Sequence, residues 1–171
     1  EGLSGSGYAI VYGNNTTATF TQTGDNNQIR VWSDSSSGKK TDVSQTGNNN
    51  ISLADNHGQD NTIITNITGN SNYTFDEIGN GGDTDNTITT TINGDSNNTI
   101  AEVQNGDNNT IDVQVQSQDS NIVRVYVNGD NNNAKVWQGK HESGSVDSNE
   151  TCDNDAYWYI TGNSNTTASY Q

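Results

Sequence analysis

The stretch "FTQTGDNNQI" at residues 20–29 returns almost unchanged as "VSQTGNNNIS" at residues 43–52. Each copy carries a glutamine, a glycine and an asparagine at the same spacing, although none of these residues drives burial well. Polar residues that recur at a fixed spacing indicate equivalent places in a repeated structural unit.

Asparagine marks this repeat along most of the chain. Fourteen units begin 11 or 12 residues apart, with one longer spacing of 14 between Asn72 and Asn86. Thr16, Lys39 and Ser143 begin three of the units. The other eleven begin at Asn27, Asn50, Asn61, Asn72, Asn86, Asn98, Asn109, Asn121, Asn132, Asn154 and Asn165.

Each unit alternates with a period of two, which is the signature of a β-strand. Counting the first residue as position 0, positions +2 and +4 are mostly aliphatic, as in Ile29 and Val31, and position +6 is glutamine or aliphatic. The residues between them are mainly Thr, Asp, Gln, Arg and Lys, which we expect on a solvent-exposed face. Position +8 is often glycine, which tolerates the positive φ of a tight turn.

These units predict an all-β fold, a narrow parallel β-solenoid. Each unit supplies one strand and one turn, and two units form a coil of 22 or 23 residues. Strands one coil apart then stack in parallel at ~4.8 Å, as in cross-β structure. We expect residues 1–15 to form an N-terminal segment with a partial strand over Tyr8 to Val11. Residues 16–171 then form about seven coils, with 139–153 the least regular part.

Inward-facing asparagine and glutamine would lie directly above their equivalents in neighbouring coils. Their amides can then hydrogen-bond along the stack as ladders, which satisfies buried polar groups. Ladders explain how a chain with 27% hydrophobic residues and a net charge of -15 can fold, although that composition alone favours disorder. The predicted ladder and turn residues are Gln22, Gly24, Asn27, Gln45, Gly47, Asn50, Asn61, Gly69, Asn72, Asn86, Gly94, Gln104, Gly106, Asn109, Asn121, Gly129, Asn132, Gln138, Gly162, Asn165 and Gln171.

Three acidic residues conflict with this register. Asp76, Glu102 and Asp147 fall at the inward position +4 of their units. Because an unpaired buried carboxylate is costly, we expect a bulge or a one-residue shift in those three units.

The motifs resemble the curlin repeat, S-x5-Q-x-G-x2-N-x-A-x3-Q, which forms one strand–turn–strand coil. "TTATFTQTGDNN" (16–27) carries A-x3-Q-x-G-x2-N, and "NNAKVWQ" (132–138) carries N-x-A-x3-Q. "QTGNNN" (45–50) and "QNGDNN" (104–109) repeat the central Q-x-G-x2-N. The sequence departs from the family pattern where position +6 is Ile or Val and where Asn replaces the leading Ser.

The resemblance implies an extracellular functional amyloid that forms fibres at the cell surface or in a biofilm matrix. It implies a nucleator subunit and an outer-membrane secretion pore as partners, and no cofactor. The family's stacked glutamine, glycine and asparagine correspond to Gln22, Gly24 and Asn27, to Gln45, Gly47 and Asn50, and to Gln104, Gly106 and Asn109. Asn132 and Gln138 match the second strand of the motif.

Composition excludes several other classes of function. Six basic residues cannot supply the clustered positive charge that nucleic acid requires, and the chain has no apolar run of membrane-spanning length. The chain begins at Glu1, which favours a processed form, and Cys152 is its only cysteine, so an intrachain disulfide is excluded.

The residues that could support catalysis or metal binding are isolated. His57 and His141 lie in predicted turns without a neighbouring ligand, so we expect no enzyme and no metal site. "GLSGSG" (2–7) and "GKKT" (38–41) lack the spacing of a nucleophile elbow and of a phosphate loop. Asp83 and Asp85 resemble calcium-binding turns, but that motif occurs once and is imperfect.

Five aromatic residues fall at the outward position +5: Trp32, Tyr126, Trp137, Tyr159 and Tyr170. We expect Trp137 to stack on Tyr159, with Tyr126 two coils below Tyr170. The aromatic residues either pack as a ladder on the surface or contact a second protofilament or a glycan.

The last unit, "NTTASYQ" (165–171), is an ordinary repeat, and neither end of the solenoid shows a capping element. An uncapped solenoid presents open strands that fit another copy, which favours head-to-tail assembly into a filament. The alternatives are an adhesin stalk and a soluble module that binds calcium or ice. For ice binding, Thr87, Thr89 and Thr91 form one T-x-T row that adjacent coils do not continue.

Overall fold

The computed structural model describes residues 6–11, 14–34, 37–79, 82–116, 122–139 and 155–170. Within these residues the chain forms fourteen β-strands and no helix. In chain order the strands are β1 Ser6–Val11, β2 Thr17–Thr23, β3 Gln28–Ser33, β4 Lys40–Thr46, β5 Ile51–Asn56, β6 Thr62–Thr68, β7 Tyr73–Ile78, β8 Thr87–Asn93, β9 Asn98–Asn105, β10 Thr110–Gln116, β11 Ile122–Asn128, β12 Asn133–Gly139, β13 Asp155–Thr161 and β14 Thr166–Tyr170.

Successive strands alternate between two parallel sheets. Sheet A holds the seven odd-numbered strands in the order β1-β3-β5-β7-β9-β11-β13, and sheet B holds the seven even-numbered strands from β2 to β14. Each strand inside a sheet therefore pairs with the strand one coil before it and the strand one coil after it, and the predicted all-β parallel solenoid is confirmed. The first strand includes Tyr8 to Val11, for which the sequence predicted a partial strand.

The inward faces of the two sheets form one continuous core. Equivalent residues stack in columns, so that Ile63 aligns with Ile88 and Ile88 aligns with Ile111. The aliphatic core is small, and it is extended by buried polar residues such as Thr41, Thr65, Thr74 and Thr90. The buried aliphatic residues are Ile29, Val31, Val43, Ala54, Ile63, Ile67, Ile78, Ile88, Ile92, Ala101, Val103, Ile111, Val113, Val123, Val125, Val127, Ala134, Val136 and Ile160.

One unit is shifted by a residue from its predicted register. The sequence pattern predicted that Asn98 and Gln104 face inward. In the structure the buried residues at these places are Asn97 and Val103. The pairing of β9 with β11 skips Gln104, because Val103 aligns with Val127 and Asn105 aligns with Asn128. The earlier start at Asn97 places Glu102 on the outer face, and the bulge at Gln104 returns the following turn to register.

Asp76 behaves differently from Glu102. Its unit keeps the predicted register, so the expected shift is wrong there, and its carboxyl is fully buried. Asp147 lies outside the described residues.

The outer faces of the two sheets differ in polarity. On sheet B the outward residues are mainly polar, as in β8, where they are Thr87, Thr89 and Thr91. On sheet A, the three strands β5, β7 and β9 carry half-buried apolar residues on the outer face, which we call the sheet A strip: Ile51, Leu53, Tyr73, Phe75 and Ile100. The prediction that outward positions are generally polar is therefore wrong for this part of sheet A.

The turns explain the recurring glycine. Gly47 has a φ of 120°, and a Cβ added to it would overlap the carbonyl oxygen of Gly69 in the next coil. Glycine is therefore required both by the backbone conformation and by the close approach of stacked turns. The residue before each unit start also has positive φ: Asn15, Asn26, Asn49, Asp60, Ser71, Asp85, Ser96, Asn108, Asn131 and Ser164.

We expect Gly47→Ala to lower the free energy of unfolding by about 3 kcal/mol or more, because it adds backbone strain and an overlap with a neighbouring main chain. Denaturant titration followed by circular dichroism measures this change. Gly82→Ala is the matched control, because a Cβ there would meet no atom within 4 Å. Equal stability of the two variants would contradict the packing of the turns.

Candidate functional site: the asparagine ladders

Two columns of asparagine follow the turns on opposite edges of the solenoid. The first column, before the strands of sheet A, contains Asn27, Asn50, Asn72 and Asn97. The second column, before the strands of sheet B, contains Asn61, Asn86, Asn109, Asn132 and Asn165. All except Asn165 are buried.

In the first column the side chains of Asn27, Asn50 and Asn72 bond to the coil that follows. The Oδ1 atoms of Asn27, Asn50 and Asn72 accept the main-chain N–H of the next asparagine at 2.9 to 3.0 Å. Their Nδ2 atoms donate to the carbonyl oxygens of Gly47, Gly69 and Gly94 at 2.6 to 2.7 Å. Each amide thus connects its own turn to both ends of the next turn.

The second column repeats this geometry. The Oδ1 atoms of Asn61, Asn86, Asn109 and Asn132 accept the main-chain N–H of the next asparagine at 2.8 to 2.9 Å. The Nδ2 atom of Asn132 donates to the carbonyl oxygen of Gly162 at 2.8 Å.

Asn165 stands at the end of this column. Its Nδ2 donates to the carbonyl oxygen of Thr161 in its own turn, and its Oδ1 accepts no hydrogen bond from the described residues.

The ladders therefore have a direction. Each Oδ1 points toward the coil that follows in the chain, so the two ends of the solenoid present different groups. Lys39 occupies the position of asparagine at the start of β4, where its buried Nζ donates to the main-chain oxygen of Asp34 at 3.0 Å and pairs with the Asp34 carboxylate. Only the break in the asparagine pattern marks this buried ion pair in the sequence.

A further ladder runs along the surface of the turns in the opposite direction. The main-chain N–H groups of Asp25, Asn48 and Asn70 donate to the Oδ1 atoms of Asn48, Asn70 and Asp95 in the following coil, at 2.6 to 2.9 Å. On the other edge, the main-chain N–H groups of Asp107 and Asp130 donate to the Oδ1 atoms of Asp130 and Asn163, at 3.0 to 3.1 Å. The Asp/Asn that follows each turn glycine is thus a hydrogen-bond acceptor for the previous coil.

The predicted glutamine ladder is short. Gln22 Nε2 donates to Gln45 Oε1 at 3.4 Å, and Gln45 Nε2 donates to the main-chain oxygen of Gln28 at 3.1 Å. In the next strand Ile67 aligns with Gln45, which ends the glutamine column. Gln138 lies in sheet B, where it aligns with Val115.

The remaining predicted ladder residues separate from this column. Gln104 lies on the opposite sheet, at the bulge in β9, so it cannot stack on Gln22 or Gln45. The predicted residues Asn121 and Gln171 lie outside the described residues. Asn56 was missed by the ladder prediction, although it is buried and its Nδ2 donates to the main-chain oxygen of Lys40 at 3.2 Å.

The five aromatic residues that the sequence predicted to face outward belong to two different sheets. Trp32, Tyr126 and Tyr159 belong to sheet A, whereas Trp137 and Tyr170 belong to sheet B. Tyr126 aligns with Tyr159, and Trp137 aligns with Tyr170. The predicted stacking of Trp137 on Tyr159 is therefore wrong. The prediction placed a further unit, starting at Ser143, between the two residues, whereas their strands β12 and β13 are consecutive and belong to opposite sheets.

Asp76 connects the two sheets through the core. It projects from β7, and its two carboxylate oxygens accept hydrogen bonds from the hydroxyl groups of Thr65 in β6 and Thr90 in β8. Burial raises the pKa of Asp76 to about 6, and the two threonine hydroxyls partly oppose that rise. Thr65 and Thr90 are the partners that sequence reasoning could not supply.

Asp83 is a second buried acid, located where most turns have glycine. Its Oδ1 accepts the main-chain N–H of Gly106 at 3.1 Å, and burial raises the pKa of its carboxyl. The described residues contain no group of three or more His, Cys, Asp or Glu side chains that could hold a metal ion. His57 Nδ1 lies 3.5 Å from Asp34 Oδ2. His141 and Cys152 lie outside the described residues.

Comparison with known proteins adds no relative. No protein-family model matches the chain, and neither the curated proteins nor the solved structures yield a match. Across the residues that the structure describes, no helix has the length and hydropathy needed to cross a membrane.

We expect Asn72→Ala to lower the free energy of unfolding by about 4 kcal/mol. The substitution removes four side-chain hydrogen bonds that involve Asn50, Gly94 and Asn97, each contributing about 1 kcal/mol. Asn66→Ala, at an exposed position of β6, is the control and should change stability by no more than about 0.5 kcal/mol. A similar loss in both variants in urea titrations would refute the role of the ladder.

The buried carboxyl of Asp76 predicts a pH dependence of stability. Its pKa is about 6 in the folded chain and 3.8 in its unperturbed form, so the folded state retains the proton to higher pH. Stability from this group is therefore full below pH 4 and falls by about 3 kcal/mol as pH rises to 6. Asp76→Asn should be more stable than the wild type above pH 6 and should lack this slope in unfolding titrations. An unchanged slope in this variant would contradict the assignment.

Proposed function

We propose that the chain is a curlin-like structural subunit that assembles end to end into an extracellular cross-β fibre. The observation that carries this proposal is the open core at the first strand of sheet B. Phe20 lies in the inward column of Val43, yet it is 42% exposed, whereas Val43 is 2% exposed. Among the described residues, β2 pairs only with β4, so no strand covers Phe20.

The opposite end also presents strands that have one partner each. Within the described residues β14 pairs only with β12, and β13 pairs only with β11. A second copy could continue both sheets by placing its β2 on β14 and its β1 on β13, in the parallel register that already relates neighbouring strands. The inward side chain of Phe20 would then be covered by the last coil of the other molecule.

The ladders would continue through the same joint. Asn165 Oδ1 and the main-chain N–H of Asn163 make no hydrogen bond with other described residues. The turn of Asn14 and Asn15 lies at the other end of this column, and Asn15 has the positive φ typical of the stacked turns. Because the contact is heterologous and leaves a new end of the same kind, it repeats without closing.

The finer parts of the proposal depend on the curlin resemblance. We propose a fibre at the cell surface or in a biofilm matrix, with a nucleator subunit and an outer-membrane secretion pore as partners. The role is structural rather than enzymatic. Among the alternatives, ice binding has little support, since Thr89 of the T-x-T row is flanked on sheet B by Ile64 and Asp112.

Dilution of the 171-residue chain from denaturant tests the proposal. We expect filaments by negative-stain electron microscopy, with a meridional reflection at ~4.8 Å in fibre diffraction. A concentrated, seeded sample that remains monomeric for days would refute end-to-end assembly.

Phe20→Asp tests the joint itself. A variant molecule can add to a filament through its last coil, but it then presents a carboxylate where the next apolar contact is needed. We expect elongation from wild-type seeds, measured by thioflavin fluorescence, to slow at least tenfold. Asn66→Asp, at an exposed position on sheet B between Ser44 and Thr91, is the control and should elongate normally. Normal growth of Phe20→Asp would show that the open core is not the joint.

A further inference from the structure

The sheet A strip is an apolar surface on an otherwise acidic, polar molecule. Leu53, Phe75 and Ile100 align across β5, β7 and β9, and Ile51 aligns with Tyr73 beside them. All five are half-buried on the outer side of the sheet, away from the core. Isolated outward apolar residues are common, but a contiguous group on adjacent strands indicates a contact surface.

Charged residues border the strip. Arg30 aligns with Leu53 on one side of the strip, and Arg124 aligns with Ile100 on the other. Along one flank, three carboxylates form a row across the same strands: Asp55, Glu77 and Glu102. Burial raises the pKa of Glu77, and the charges of Glu102 and Asp55 add to that rise. A partner that placed more negative charge against this row would be repelled.

We propose that the sheet A strip packs face to face against the same strip of a second copy, so that fibres consist of two paired columns. Side chains on the strip recur at the spacing of neighbouring strands, ~4.8 Å. An identical face has this spacing along its whole length, which allows apolar side chains to interdigitate as in a steric zipper.

The strip is small for an interface between two single molecules. Its three strands, β5, β7 and β9, span roughly 14 Å by 20 Å, so two copies bury roughly 600 Å² by this count. That is below the ~1,000 Å² expected of a specific interface between two single molecules. In a filament the same contact recurs in every subunit, so the pairing becomes strong through multivalency.

The carboxylate row selects one of two symmetric arrangements. If the two columns ran antiparallel, Glu77 would face its own copy and Asp55 would face Glu102, which brings six carboxylates together. If they run parallel, related by a two-fold axis along the stack, the row faces the neutral side chains of Ile51, Tyr73 and Asn98. The parallel arrangement avoids the repulsion, and we therefore assign it.

Phe75→Lys tests the pairing by placing two ammonium groups in contact at the centre of the strip. Ile64→Lys is the matched control, because Ile64 is also half-buried and outward but belongs to sheet B.

The filament measurement depends on the proposed function, since it requires end-to-end growth. Mass per length by dark-field electron microscopy distinguishes a single column of 18.3 kDa subunits, at roughly 5 kDa per nm, from a pair at twice that value.

We expect paired filaments for the wild type and Ile64→Lys, and a twofold lower mass per length for Phe75→Lys. Single filaments in the wild type would overturn the pairing while leaving end-to-end assembly intact. If no filaments form, sedimentation of concentrated protein becomes the test. A dimer that Phe75→Lys abolishes and Ile64→Lys retains supports the pairing, and a monomer throughout overturns it.

The orientation has its own test. In a Cys152→Ser background, Leu53→Cys should be cross-linked to its own copy by a short bismaleimide, because parallel columns place β5 opposite β5. Antiparallel columns place β5 opposite β9, so cross-linking would then require Leu53→Cys together with Ile100→Cys. The parallel arrangement would be overturned if Leu53→Cys alone gave no cross-link and the variant with both Leu53→Cys and Ile100→Cys did.

Discussion

The hydrogen bonds from each asparagine side chain to the next turn are the interactions on which this structure depends. A coil of two short strands encloses too little apolar volume to fold alone. The amides of residues such as Asn50 and Asn72 satisfy the main-chain groups of the turns, and they do so only when another coil is present. Stability therefore comes from stacking, which is the physical reason that the repeat is so regular.

Glycine and asparagine support one another in this scheme. The close approach of Gly47 to Gly69 brings the turn carbonyl within reach of the Asn50 amide. A side chain at the glycine would separate the turns and break the ladder, while loss of the amide would leave the glycine carbonyl without its partner. Asp76 follows the same logic in the core, where Thr65 and Thr90 from two successive coils bond one carboxyl.

Much of the fold could be predicted from the sequence, because a period of two within a period of about 11 leaves few alternatives to a solenoid. The first error, at Asn97 and Asn98, arose because two adjacent asparagines fit the pattern equally and only the packing of Val103 selects between them. Asp76 was misjudged because its partners lie on the other sheet. The sheet A strip was missed because Leu53, Phe75 and Ile100 become neighbours only when every second unit is compared.

The alternation of the chain between the sheets also has a mechanical consequence. Within one molecule, a covalent turn tethers each coil to the next, so tension along the stack can open hydrogen bonds without separating the coils. Between molecules no such tether exists. A fibre assembled in this way would fracture at its joints, releasing fragments that are whole multiples of one subunit. Every break would expose two intact ends, each able to resume growth.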